Sequence, residues 1–240
     1  MKIKDIRLYY LKFKLTYFSR LCKPNTFNKI LSLEGFEIGK GTFFYDPNSM
    51  TIDRERPWML KIGEYCKITK GTILLTHDYS RSVMRRKYGE IIGEAGKTII
   101  GDNVFIGMNS IVLMGSSIGN NVIIGAGSVV SGTIPDDVVV AGNPAKVIRT
   151  LEEHYLRRKI KSIEEAKLYA REFKNKYTRK PSIKEMNAFF PLYLERNVEA
   201  ILRSGVNINL NGDNRDEILN YFLKSKAVYS SFEEFLSDSL

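Results

Sequence analysis

The sequence predicts a mainly β protein whose body is a parallel β-helix, with an amphipathic helix before it and an α-helical extension after it. Three observations predict it: an apolar residue returns every six positions from Ile100 to Val130, an apolar stripe recurs at spacings of three and four near the N-terminus, and helical patterning takes over from Leu151. Ile100, Ile106, Val112, Ile118, Ile124 and Val130 mark the six-residue step, and Gly101, Gly107, Gly119 and Gly125 follow four of them. A helix turning every 3.6 residues would scatter such positions around its circumference, whereas an even period keeps them on one face of a strand. A turn signal in every hexad leaves strands of about three residues, too short for hairpins of the usual ~5 to 6. Three short parallel strands per coil bury the repeat instead. Ile100 then stacks on Ile118, Ile106 on Ile124 and Val112 on Val130. The glycines serve corners that need positive φ or close backbone approach.

The totals are compatible with one large body and appendages: 240 residues, 43% of them hydrophobic. Two cysteines, Cys22 and Cys66, are too few for a disulfide framework and lack metal-ligand spacing, so a reducing compartment is expected. With no run of ~20 apolar residues and no signal-peptide pattern, the expected location is the cytoplasm. Most of the net charge of +10 lies in the N-terminal arm: residues 1–33 carry eight Lys/Arg against Asp5 alone, residues 34–150 thirteen against twelve, and residues 151–240 sixteen against fourteen. No aromatic-basic RNA motif or DNA-reading helix accompanies this charge, so nucleic acid is not the expected partner.

In chain order, the arm (1–33) holds Ile3, Ile6, Tyr10, Phe13, Tyr17 and Leu21 on one helical stripe among Lys4, Arg7, Lys12, Lys14 and Arg20, ending at Lys23-Pro24. This face is expected to pack on the body or on a partner subunit. The alternative is contact with a membrane surface through residues 1–24, which would hold the protein at its inner face. The body (34–150) starts near Ile38-Gly39 and Phe44, breaks across Asp46 to Pro57, and returns to register at Ile62, Ile68 and Leu74. The spacing then fails until Ile100, so residues 78–99 are expected to project as a loop with His77 at its root. The extension (151–240) should hold a long basic helix to about Tyr177 and two or three shorter ones after Pro181. Ser162-x-x-Glu165, Ser182-x-x-Glu185 and Asn214-x-x-Glu217 resemble capping boxes.

Only His77 and His154 carry imidazoles, and His77, beside Asp78 at the loop root, is the candidate base for a hydroxyl. The pair Gly125 and Gly127 lacks the third glycine of a dinucleotide turn, and two histidines are too few for a three-histidine zinc centre, so no metal is expected.

The hexapeptide repeats, His77-Asp78 before a projecting loop, the run from Thr98 to Gly107, Ile124-Gly-Ala-Gly-Ser128 and the closing stretch from Ala141 to Arg149 together resemble the left-handed β-helix acyltransferases. Within these the chain is most similar to the maltose and galactoside O-acetyltransferase group, over roughly residues 36–150. The resemblance implies a homotrimer with sites between neighbouring coils, acetyl-CoA as donor and a saccharide as acceptor, with His77 as general base. It implies donor contacts at Phe105, Gly107, Met108 and Ala126 along the coil and at Ser131, Lys146 and Arg149 toward the nucleotide. Phe105 stands where the family usually has Trp and lacks the indole N–H, and Gly132 stands where relatives often have Lys. For the acceptor, the resemblance implies an Asn or Asp from an earlier coil that holds either the acceptor or the histidine. Asp46, Asn48 and Asp53 are the candidates, with surface turn residues as the alternative. Arg81, Arg85, Arg86 and Lys87 are either solvated or available to an acidic saccharide.

The expected activity is therefore acetyl-CoA-dependent O-acetylation of a sugar hydroxyl in a surface polysaccharide, an oligosaccharide or a lipid-linked precursor. The alternatives are N-acetylation of an amino sugar or xenobiotic, and a trimeric scaffold without catalysis.

Overall fold

The computed structural model describes residues 3–17, 25–209 and 211–240, which form two compact units, Met1–Glu152 and Glu153–Leu240. The first is a left-handed parallel β-helix with three faces. Its strands are β1 (Glu37–Ile38), β2 (Phe43–Phe44), β3 (Thr51–Ile52), β4 (Leu60–Ile62), β5 (Lys67–Ile68), β6 (Ile73–Leu74), β7 (Thr98–Ile100), β8 (Phe105–Ile106), β9 (Ile111–Val112), β10 (Ser117–Ile118), β11 (Ile123–Ile124), β12 (Val129–Val130), β13 (Thr133–Ile134), β14 (Val138–Ala141) and β15 (Lys146–Thr150). The first face runs β1-β4-β7-β10-β13. The second runs β2-β5-β8-β11-β14, closed by β15 pairing antiparallel with β14, and the third runs β3-β6-β9-β12. Ile118 pairs with Ile100, Ile124 with Ile106 and Val130 with Val112, which is the stacking the period of six requires.

One side chain of each short strand points inward, and Ile62, Ile68, Leu74, Ile100, Ile106, Val112, Ile118, Ile124 and Val130 are all buried in one continuous core. Of the two reasons a repeat glycine can have, close approach is the one that operates here. A Cβ on Gly63 would lie 2.5 Å from the carbonyl oxygen of Gly101, and one on Gly101 would lie 2.7 Å from that of Gly119. The left-handed corners fall elsewhere, at residues such as Gly71 (φ 74°), Asn109 (φ 58°) and Asn121 (φ 56°), where glycine and asparagine tolerate that conformation best.

The arm differs from expectation in two ways. A second helix, α2 (Thr26–Glu34), follows α1 (Ile3–Tyr17) and ends on Gly35 in the left-handed conformation. It buries Phe27, Ile30 and Leu31, and Phe27 meets Phe44 edge-on at 4.9 Å, so α2 plugs the open first coil. In α1 the face expected to pack on the body is exposed: Ile6, Tyr10, Phe13 and Tyr17 point outward, while Leu8, Leu11 and Leu15 are half-buried and Leu15 reaches the core. The expected helix end at Lys23-Pro24, with Leu21 and Cys22, lies outside the described residues.

The insertion after Leu74 contains a short helix not foreseen, α3 (Arg81–Tyr88). It ends two residues before the expected boundary, because Thr98 and Ile99 already pair with Leu60 and Lys61.

In the second unit α4 (Leu151–Tyr177) packs Ala166 and Ala170 against Met186, Tyr193 and Phe235. After α5 (Val198–Ser204) and α6 (Arg215–Lys224), α7 (Phe232–Ser239) completes this core. Asn214 caps α6 through the Asp216 N–H, but Ser162 lies inside α4, where its hydroxyl donates to the Lys159 carbonyl and Glu165 pairs with Arg158. Ser182 and Glu185 do bond reciprocally, in a turn rather than at a helix start. Among the described residues no helix is long and apolar enough to cross a membrane.

Candidate active site

The two breaks in the repeat fall at one corner of the coil. The connection from β3 to β4 and that from β6 to β7 both pass from the third face to the first, one coil apart. Ile52 pairs with Leu74, and the Asp53 N–H donates to the Leu74 carbonyl at 3.1 Å, so the residues after each strand are stacked. That stacking brings Asp53 beneath Thr76 and His77. The His77 Nδ1 lies 2.5 Å from Asp53 Oδ2, the Thr76 hydroxyl donates to the same oxygen, and the Glu55 N–H donates to Oδ1 at 3.1 Å. Asp53 is buried and Thr76 fully so.

A buried carboxylate needs donors on its lone pairs. Burial works against its charge, yet the hydrogen bonds from Thr76, His77 and the Glu55 backbone outweigh this and hold the Asp53 carboxyl below the usual carboxylate range. An ionised Asp53 only accepts, so Nδ1 of His77 donates to it and Nε2 is the ring nitrogen turned away from Asp53. The Nε2 side faces Glu55, whose exposed carboxylate lies 3.9 Å away. Asp78, the sequence neighbour of His77, has another job. Its carboxylate accepts the Ser80 N–H at 2.7 Å, and its own N–H donates to Glu94 at 3.0 Å. Hydrogen bonds from Ser80 hold Asp78 below its ordinary value. The partner of the histidine therefore comes from the preceding coil.

The insertion also forms an open pocket of about 360 Å³ lined by Tyr79, Arg81, Ser82, Arg85 and the stretch Ile91-Ile92-Gly93. The Tyr79 ring stands 6.0 Å from the His77 ring, and the Arg81 guanidinium lies 5.5 Å over Tyr79. Of the basic residues singled out on the loop, Arg81 and Arg85 line the pocket while Arg86 and Lys87 do not.

Other sequence-derived candidates lie elsewhere on the coil. Asp46 and Asn48 sit between β2 and β3, at the corner from the second face to the third, and the structure does not bring them to His77. Asp46 adopts φ 55° in a turn and its carboxylate lies 3.7 Å from Lys70, while the Asn48 amide donates to the Leu15 carbonyl of α1 at 3.3 Å. The same corner, higher up, carries Gly107, Met108 and Ala126, between β8 and β9 and between β11 and β12. Phe105, Lys146 and Arg149 lie on the adjoining second face. Phe105 and Met108 present apolar surface at 41% and 56% exposure. Gly107 has a reason of its own to be glycine, since a Cβ there would lie 2.5 Å from the Ala126 nitrogen. Ser131 alone of this group lies at the corner shared with His77. Within one chain, then, the histidine pair and the remaining six residues occupy different sides of the coil.

The sequence reading missed Glu55 and left Asp53 as one of three candidates, with Asp46 and Asn48, for holding the acceptor or the histidine; the structure puts Asp53 on His77. The signal was present in the two breaks of register, because insertions at equivalent corners of successive coils must stack.

The family description of bacterial transferase hexapeptide, six repeats, matches residues 97–132. Protein CapG of Staphylococcus aureus is 41% identical over 137 residues, covering 57% of this chain and 78% of CapG. Galactoside O-acetyltransferase of Escherichia coli strain K12 is 34% identical over 124 residues, covering 50% of this chain and 59% of that one. A hexapeptide-repeat-containing acetyltransferase from Vibrio cholerae, solved in complex with acetyl coenzyme A, superposes with a TM-score of 0.44 at 22% identity, covering 62% of this chain and 87% of that one. With the repeat matched and CapG spanned over most of its length, the chain belongs to the bacterial hexapeptide-repeat transferases.

Proposed function

We propose that this chain is an acetyl-CoA-dependent O-acetyltransferase that works as a homotrimer and transfers an acetyl group to a sugar hydroxyl of a surface polysaccharide, an oligosaccharide or a lipid-linked precursor. The observation that carries the reading is the buried Asp53 carboxylate on Nδ1 of His77. It leaves Nε2 as the basic nitrogen, on a ring 6.0 Å from that of Tyr79, which lines the loop pocket. His77 takes the proton of the acceptor hydroxyl as that oxygen attacks the thioester carbonyl, and Asp53 stabilises the imidazolium that results. A C–O bond forms, the C–S bond breaks, and the imidazolium returns its proton to the departing thiolate. Glu55, exposed on the Nε2 side, is placed to accept a hydrogen bond from a second hydroxyl of the acceptor.

On the donor side, Phe105 and Met108 offer apolar surface to the pantetheine arm, and Ala126 is exposed at the corner beside them, over the buried Gly107. Ser131, Lys146 and Arg149 suit the nucleotide end, where cations complement phosphates. The named acetyltransferases among the relatives support acetyl as the group transferred, and the galactoside enzyme supports a sugar acceptor.

Incubating the protein with acetyl-CoA and a panel of saccharides and amino sugars, with thiol release as readout, tests this. His77→Ala should lower turnover by about 10²- to 10⁴-fold while calorimetry still detects donor binding. Transfer to amines alone, or unchanged turnover by the variant, would show that the reading is wrong.

A further inference from the structure

The exposed face of α1 has no role in the chemistry above, and its composition indicates what covers it. Two apolar stripes run along this helix on opposite sides. Leu8, Leu11 and Leu15 form the inner one, and the Lys12 ammonium, 2.6 Å from Glu34, pins the helix to the end of α2. Ile6, Tyr9, Tyr10, Phe13 and Tyr17 form the outer one and are between 47% and 74% exposed. At 100° per residue these five fall within roughly one third of the helix circumference. Arg7 and Lys14, two turns apart, line one flank of that arc, and Asp5 is the only acid on the helix.

Three of the five outer residues are tyrosines, whose rings prefer an apolar layer while their hydroxyls stay wet. A second copy of the same helix would set Arg7 and Lys14 against a surface of like charge. A surface with an apolar layer beneath anionic headgroups satisfies both the rings and the cations. The arm as a whole carries eight Lys/Arg against one acid over residues 1–33, which adds to that attraction.

We infer that α1 is an interfacial helix that seats the outer stripe of Ile6, Tyr9, Tyr10, Phe13 and Tyr17 in an anionic lipid bilayer, with Arg7 and Lys14 at the headgroups. The inner leucine stripe keeps the helix docked on the coil at the same time, so the β-helix is held at the bilayer surface without any segment crossing it. This inference is independent of the proposed reaction.

Sedimentation of the full chain with vesicles tests it. Binding is expected to vesicles of phosphatidylcholine containing about one third phosphatidylglycerol, not to phosphatidylcholine alone, and to weaken several-fold between low and high salt as charges are screened. The double variant Tyr10→Glu with Phe13→Glu, and separately Arg7→Glu with Lys14→Glu, should each bind at least about tenfold more weakly. Unchanged circular dichroism and thermal midpoint would show that both variants still fold. Absence of binding to the anionic vesicles would overturn the inference, as would equal binding by the aromatic variant. So would a fall in assembly size of that variant with vesicle binding unchanged, which would identify a second copy of the chain as the true cover.

Discussion

The Asp53 carboxylate works twice, as a buried ion that must be hydrogen-bonded and as the acceptor that sets the tautomer of His77. Asp53→Asn separates the two roles, because an amide of nearly the same volume can still accept the Nδ1 proton through its oxygen but cannot balance an imidazolium. Turnover is expected to fall by about 10²- to 10⁴-fold with the Michaelis constant for the donor little changed. Steady-state kinetics over varied acetyl-CoA checks this, and a loss confined to donor affinity would contradict it. The same side chain makes the fold acid-sensitive. Its folded carboxyl is held below the ordinary value, so its contribution is complete above about pH 4 and is lost as pH falls through the lower folded value. Urea midpoints taken from pH 7 to pH 3 should therefore decline less steeply in Asp53→Asn than in the wild type. Equal slopes would mean that the hydrogen bonds to Asp53 add nothing to stability.

At the level of the coil, the spacing of six is a packing rule that backbone distances enforce. Gly63→Ala would put a methyl group 2.3 Å from the Asp102 carboxylate and 2.5 Å from the Gly101 carbonyl, the latter backbone that cannot swing aside as a side chain can. A destabilisation of about 1–3 kcal/mol or more is expected from overpacking of this kind. Gly93→Ala, with nothing within 4 Å, should stay within about 0.5 kcal/mol. Urea unfolding of the two variants decides whether close approach is the reason for the repeat glycines. This regularity is why the β-helix was legible in the sequence down to its register. What broke the period was harder to read. The α2 helix has only nine residues and its N-cap Asn25 makes no side-chain capping bond, so its cues were Phe27, Ile30 and Leu31 at helical spacing and the terminating Gly35. The outer stripe of α1 was legible as a stripe, but the inward leucines were not, because aromatic residues dominated the pattern. At the candidate site His77 could be picked out as the imidazole at a loop root, whereas its partner could be narrowed only to Asp46, Asn48 or Asp53. Asp78 adjoins it in sequence, and only the stacking of successive coils brings Asp53 to it.

For the molecule as a whole, the coil's three-sided section separates the groups that the proposed reaction needs. His77 and Asp53 stand at the corner between the third and first faces, while Phe105, Met108, Lys146 and Arg149 lie on the second face and at its corner with the third. A single chain cannot bring a donor held on the latter to the base on the former without crossing the coil, but a closed ring of three copies can set one copy's corner against the next copy's face. Sites shared in this way allow complementation between two dead variants. His77→Ala removes the base, and Met108→Glu places a charge on the exposed apolar surface proposed for the donor; each alone should be inactive or nearly so. When equal amounts are unfolded and refolded together, a site is intact wherever the base comes from a Met108→Glu subunit and the donor face from a His77→Ala subunit. Random assembly then restores about a quarter of wild-type turnover. Mixing the two variants without unfolding should restore none until subunits exchange, which ties the recovery to assembly. If refolded mixtures stay inactive while each variant keeps the wild-type assembly size, base and donor face act within one chain, and the shared-site reading of the coil would have to be abandoned.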